Sequence, residues 1–95
     1  YTRDSVFADS VRAPWNVGGR QRAQYEADVT KVEALKDHFA PGAPMVTAAL
    51  RYVISHPSDP VAIPGAKSSA QAAMNAEAGE QIFTAAELKA IQAVL

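Results

Sequence analysis

The chain has 95 residues and a formal net charge of −1, from nine Lys/Arg and ten Asp/Glu. That balance gives no bulk attraction to nucleic acid or to an anionic membrane, so neither is an expected partner. Cysteine is absent, which excludes a disulfide framework, a zinc-thiolate site and a thiol nucleophile, and fits a cytoplasmic, reducing location. No apolar run approaches about 18 residues, so no transmembrane helix is expected.

Residues 1–27 show no sustained helical or strand period and are predicted to form a long loop. They contain four arginines, a Gly-Gly pair and three scattered aromatic residues that would anchor the loop: Phe7, Trp15 and Tyr25. A connection of this length is typical of a functional loop or lid, or of a frayed end. Both interpretations are open at this point.

Apolar periodicity predicts four helices after this loop. The first begins at Asp28, as N-cap, and ends at the proline-rich run 40–44. The second covers residues 45–55 and carries a continuous apolar stripe of Val46, Ala49, Leu50, Val53 and Ile54. The third covers residues 69–78, and the fourth follows a capping box in which Thr84 precedes Glu87 by three residues.

The short run Val61–Ile63 lies between Pro60 and Pro64 and contains only apolar residues. Such a run fits a strand that is buried on both faces, as in a parallel sheet. A buried strand needs neighbours, because each unpaired backbone group costs about 1–3 kcal/mol. The sequence offers no second strand, so it predicts a piece of an α/β protein whose other strands lie elsewhere.

Residues 63–68 are the main candidate for chemistry, because a glycine-containing turn leads into a helix start. Backbone N–H groups at a helix N-terminus bind anions, Gly65 permits close approach, and Lys67 adds positive charge. Gln71 and Asn75 follow at i and i+4 on one helix face, which suits a ligand with both a phosphate and a heterocycle. The alternative interpretation is an ordinary turn followed by a capped helix.

The run over 61–75, VAIPGAKSSAQAAMN, resembles the C-terminal signature of the aldo-keto reductases. The flanking segments resemble that family in the same order. Residues 44–57, PMVTAALRYVISHP, are similar to its penultimate barrel helix, and 83–88, FTAAEL, to the start of its terminal helix. Residues 7–13, FADSVRA, are similar to the loop after its seventh strand, whereas Met74 stands where many members have Glu.

This resemblance implies an α/β fold: the C-terminal fragment of a (β/α)8 TIM barrel, mostly helical with one short parallel-type strand. Residues 1–27 would be the loop after strand 7, and residues 28–95 the last helices and strand 8. The partner of the chain would be the remainder of its own barrel. The family's catalytic Asp, Tyr, Lys and His would lie there, because nothing in this chain matches their positions.

The resemblance also implies an NADPH-dependent oxidoreductase that reduces aldehydes or ketones to alcohols, with this segment binding the adenosine 2′-phosphate end of NADP. Lys67 would pair with the 2′-phosphate, and Arg12 would reach the cofactor from the loop. Gly65 and Ala66 would approach it through their backbone. The cofactor-binding residues implied are Gly65, Ala66, Lys67, Gln71, Asn75 and Arg12.

Two alternatives compete with the reductase interpretation. The chain could be a small free-standing helical module, without catalysis, that binds a protein partner through the stripe of Val46, Leu50, Val53 and Ile54. Residues 61–63 would then be a linker and residues 64–69 only a helix entry. The chain could also be a reductase remnant that keeps the fold element without the activity. The small carbonyl substrate is not specified by these residues.

Overall fold

The computed structural model describes all residues, Tyr1–Leu95, and contains four α-helices and no β-strand. The helices are α1 (Arg22–Lys36), α2 (Met45–Ile54), α3 (Ser69–Glu77) and α4 (Ala85–Val94). Two short 3-10 turns, Ala13–Trp15 and Ala78–Glu80, precede α1 and follow α3. None of the helices has both the length and the apolar character that a bilayer span requires.

The C-terminal helix begins as the sequence predicts. The N–H of Glu87 donates to Thr84 Oγ1 at 3.2 Å, and the N–H of Thr84 donates to Glu87 Oε2 at 2.7 Å. This capping box satisfies two backbone groups that the start of α4 would otherwise leave unpaired. The predicted second helix is also confirmed, because α2 starts directly after Pro44 and ends at Ile54.

The first helix begins at Arg22, six residues before the predicted N-cap Asp28. A tight turn precedes this helix, in which the N–H of Gln21 donates to the carbonyl of Pro14 at 3.0 Å. Only glycine fits at position 19 in this turn, since a Cβ there would lie 2.2 Å from the Pro14 carbonyl oxygen. The part of α1 that precedes Asp28 is mostly polar and Ala-rich, so apolar periodicity does not reveal it.

The predicted strand is wrong. Val61–Ile63 belongs to no helix or strand and makes no backbone hydrogen bond, and Val61 and Ile63 are 86% and 94% exposed. Pro60 and Pro64 lack amide donors, and they favour a polyproline-like backbone in the residues beside them. An apolar run between two prolines therefore looks like a buried strand in the sequence without belonging to a sheet. The predicted fold class, an α/β fragment of a TIM barrel with a parallel-type strand, is therefore replaced by an all-helical fold.

Only five residues are buried: Phe7, Tyr25, Val29, Ala78 and Ile91. The chain exposes 6,856 Å², against about 5,300 Å² for a folded monomer of this mass. Its radius of gyration is 14.9 Å, against about 12.4 Å for a compact domain of this length. The excess of about 1,600 Å² is about twice the ~800 Å² that each partner contributes to a standard protein interface.

Contacts of Arg51 and of Phe83 join the elements of the C-terminal half. Arg51 of α2 donates to the carbonyls of Ala78 and Glu77, at 3.3 and 3.4 Å, and so caps the end of α3. The N–H of Phe83 donates to Ser55 Oγ at 2.8 Å, and the Phe83 ring stacks on Phe39 with a centroid distance of 5.9 Å. These contacts fix the position of α3, and with it the loop that precedes α3.

Candidate functional site

The candidate site is the loop from Gly65 to Ser68 together with the first two turns of α3. Ser68 is the N-cap of α3: its backbone is extended, and its Oγ accepts a hydrogen bond from the N–H of Gln71 at 3.1 Å. The cap fixes the direction in which the helix start faces. The N–H groups of Ser69 and Ala70 make no hydrogen bond within the chain, so they remain available to an acceptor from outside.

Gln71 and Asn75 hold this loop in place. The N–H of Lys67 donates to Gln71 Oε1 at 2.7 Å, and Asn75 Nδ2 donates to the carbonyl of Gly65 at 3.1 Å. The i and i+4 spacing thus brings both side chains to one face, as predicted, but against the loop backbone. Gln71 Nε2 and Asn75 Oδ1 make no hydrogen bond within the chain and remain free to meet a ligand.

The charge at the site comes from Lys67. Its ammonium group takes part in neither of the two ion pairs of the structure, which are Asp9–Arg12 and Arg22–Glu26. Gly65 adds open space, because nothing lies within 4 Å of the position that a Cβ would occupy. An unpaired cation, two unbonded N–H groups and an open backbone approach fit the phosphate of a dinucleotide such as NADP.

Arg12, the sixth predicted site residue, does not join this group. Its Nε donates to Asp9 Oδ2 at 2.8 Å, its Nη1 donates to the Tyr1 hydroxyl, and its guanidinium lies over the rings of Tyr1 and Phe7. Desolvation lowers the pKa of Arg12, but the Tyr1 hydrogen bond and the Asp9 charge outweigh it and raise that pKa. Arg12 therefore stabilises the N-terminal segment locally.

The carboxylate of Asp9 gives this segment a pH dependence. The backbone N–H of Arg12 donates to Asp9 Oδ1 at 2.9 Å, and this bond, with the Arg12 charge, holds the pKa of Asp9 below its ordinary value of 3.8. A carboxyl group whose pKa is lowered by folding stabilises the folded state above the unfolded pKa, and that stabilisation is lost as pH falls through the folded pKa.

An NMR titration of the Arg12 amide is therefore expected to show a midpoint below pH 3.8. The Asp9→Asn variant should show no such transition, whereas Asp59→Asn, in a distant turn, should leave it in place. A midpoint at or above the ordinary value would contradict the Asp9–Arg12 assignment.

A cleft of about 560 Å³ lies between residues 60–66 and the helices α2 and α3. Its lining is mainly apolar and includes Leu50, Ile54, Val61 and Ala66, with Asn75 as the polar side chain. No group of three or more His, Asp or Glu side chains is arranged to hold a metal ion. Next to α3 lie the cationic loop, which the sequence predicts, and an apolar cleft, which it does not reveal.

Comparison with known proteins gives no assignment. No family model, curated protein or solved structure matches the chain.

Proposed function

We propose that residues 64–75 bind the adenosine 2′-phosphate end of NADPH for an oxidoreductase that reduces aldehydes or ketones to alcohols. The observation that supports this proposal is the unpaired Lys67 beside the uncovered start of α3, in a loop that Gln71 and Asn75 hold in place. The resemblance of residues 61–75 to the aldo-keto reductase signature agrees with it.

The 2′-phosphate is the part of NADPH that this loop suits. A phosphate that carries close to two negative charges gains from the Lys67 ammonium and from the free N–H groups of Ser69 and Ala70. The positive end of the α3 dipole acts in the same direction. NADH has a neutral 2′-hydroxyl group at this position, so the same loop should favour NADPH.

The remaining residues would position the adenosine. Gly65 and Ala66 leave the backbone open to close approach. Gln71 offers a donor, Nε2, and Asn75 an acceptor, Oδ1, and this pair can recognise ribose and base atoms. Because each side chain also anchors the loop, its replacement would disturb the geometry as well as remove a contact.

The bound cofactor would supply the hydride for carbonyl reduction. We assign no residue of this chain to proton donation or to the carbonyl substrate, because none lies next to the loop in a suitable arrangement. His38 and His56 are both exposed, and the ring of His56 bonds only Ser58. The role of these residues would therefore be cofactor affinity, while the reacting groups come from polypeptide outside this chain.

Calorimetric titration with two probes tests the proposal. Adenosine 2′,5′-bisphosphate is expected to bind at least about tenfold more tightly than adenosine 5′-monophosphate, because a hydrogen bond to a charged group contributes about 1.5–3 kcal/mol. Lys67→Ala should reduce this preference, leaving only the share that the Ser69 and Ala70 N–H groups and the α3 dipole contribute, and leave the monophosphate affinity unchanged. Lys89→Ala, on exposed surface of α4, is the matched control and should keep the preference.

Equal affinities for the two probes would reject the proposal. That outcome would favour the second candidate, a helical module that binds a protein partner. The exposed apolar surface of α2 favours this candidate, since Val46 and Val53 are 42% and 43% exposed.

A further inference from the structure

We propose that two copies of this chain associate through the apolar surface of α2 and form a symmetric homodimer. Beside α2, and between it, α1 and α4, lies a cleft of about 380 Å³. All ten residues that line this cleft are hydrophobic. We call the cleft, together with the exposed residues Val46, Ala49 and Val53 of α2, the α2 face.

The α2 face is an apolar surface that nothing in the chain covers. Each of the three helices brings one exposed aliphatic side chain to the cleft: Val32 from α1, Val53 from α2 and Leu95 from α4. Single exposed apolar residues are ordinary on a protein surface, but these border one cleft. Water gains no hydrogen bond from such walls, so covering them with another apolar surface is favourable.

The exposed area of the chain matches what a dimer needs. The chain exposes about 1,600 Å² more than a folded monomer of its mass. If a second copy covers that excess on each chain, the interface buries about 3,200 Å² in total, within the range of about 2,000–5,000 Å² that obligate homodimers bury. A short peptide or a small molecule would leave most of this area exposed. With only five residues buried in one copy, the dimer would supply a large share of the core.

The shape of the α2 face suits a copy of itself. Val46, Ala49 and Val53 stand at i, i+3 and i+7 and form one line along α2, and the cleft lies beside this line. A two-fold interface uses the same patch on both subunits. With the two-fold axis near Ala49, in the middle of α2, the line of each copy would lie in the cleft of the other, and the small Ala49 side chains would let the two helices approach closely.

The charges of the chain do not oppose this association. No charged residue lines the cleft. Arg51, the one charged residue of α2, donates to the carbonyls of Glu77 and Ala78 and so is directed to the end of α3. The formal net charge of one copy is only −1, so two copies repel each other little. A strongly charged partner would find no opposite charge on this surface.

Sedimentation equilibrium tests the proposal. We expect a mass of about twice the 10.1 kDa of one chain at protein concentrations above about 10 µM. Val53→Asp and Val53→Lys should each weaken the dimer at least about a hundredfold, because each copy would bury an unpaired charge. Lys also suits the C-terminal end of α2, so this variant should remain helical by circular dichroism. The matched control is Val17→Asp, at an exposed valine outside the α2 face.

An engineered disulfide tests where the two copies meet. The chain has no cysteine, so any disulfide must join introduced residues. Ala49→Cys, treated with oxidised glutathione, should form a covalent dimer, because the two positions would face each other across the axis. Ala23→Cys, on exposed surface of α1 away from the cleft, should stay largely uncrosslinked.

Three results would overturn the proposal. A monomer at every concentration would mean that a different polypeptide covers the α2 face. Growth into species larger than a dimer would contradict a closed two-fold interface. A dimer that both Val53 variants leave intact would have to use another surface. These outcomes are independent of the nucleotide titration, because the α2 face shares no residue with the loop of Lys67.

Discussion

Replacing Phe7 with alanine is expected to destabilise the N-terminal segment by about 3–5 kcal/mol, as for other buried phenylalanines. Phe7 is 7% exposed, and its ring contacts Tyr1, Trp15 and Tyr25 edge-on, with centroid distances of 5.0, 5.4 and 5.7 Å. A protein of this length has a total stability of only about 5–14 kcal/mol. The loss therefore approaches the whole stability of this part of the chain.

Urea denaturation followed by Trp15 fluorescence measures this effect, with a red-shifted emission expected in the variant before urea is added. Val6→Ala is the neighbouring control, since Val6 is 85% exposed and should change stability by less than about 0.5 kcal/mol. A Phe7→Ala variant as stable as this control would mean that residues 1–27 do not hold the aromatic cluster together.

The N-terminal segment also shows what the sequence could and could not predict. The anchoring aromatics Phe7, Trp15 and Tyr25 are recognisable by type, because large rings in a polar segment are costly to expose. Their convergence depends on the turn at Gly19 and on the hydrogen bonds of Asn16 to both backbone groups of Phe7, at 2.9 and 2.8 Å. Neither contact produces a periodic pattern in the sequence, so apolar periodicity does not reveal that α1 begins at Arg22.

Residues 61–63 are the case in which local pattern and structure disagree. An apolar run between two prolines satisfies the composition of a buried strand, but strand pairing depends on partners distant in sequence. In the structure Val61 and Ile63 face solvent without such partners. By contrast, the capping box at Thr84 and the start of α2 are set by residues within one turn, and both were predicted correctly.

The candidate site was predicted in part. Spacing alone placed Gln71 and Asn75 on the face of α3 that meets Gly65 and Lys67. It could not show that Gln71 and Asn75 each use one polar atom to bind the loop backbone. The resemblance implies that Arg12 belongs to the site, whereas in the structure its guanidinium pairs with Asp9, three residues away. The cofactor role of the remaining five residues stays a prediction.

Replacing Ile91 with alanine is expected to cost about 2–5 kcal/mol and to separate α4 from α1. Ile91 is 5% exposed, and with Val32, Leu35 and Phe39 it lines an apolar cleft at the junction of α1, α2 and α4. Ala78, the other buried residue of the C-terminal half, is small. Few other buried contacts can therefore compensate for the lost side chain.

The matched control is Ile82→Ala, which removes the same atoms from a residue that is 67% exposed and should be nearly neutral. Urea denaturation followed by circular dichroism at 222 nm compares the two variants. If Ile91 holds α4 in place, Ile91→Ala has a lower urea midpoint than Ile82→Ala. It also has a weaker helical signal before urea is added. Equal midpoints for both variants would instead mean that α4 is held by other contacts, such as the Phe39–Phe83 stack, and not by Ile91.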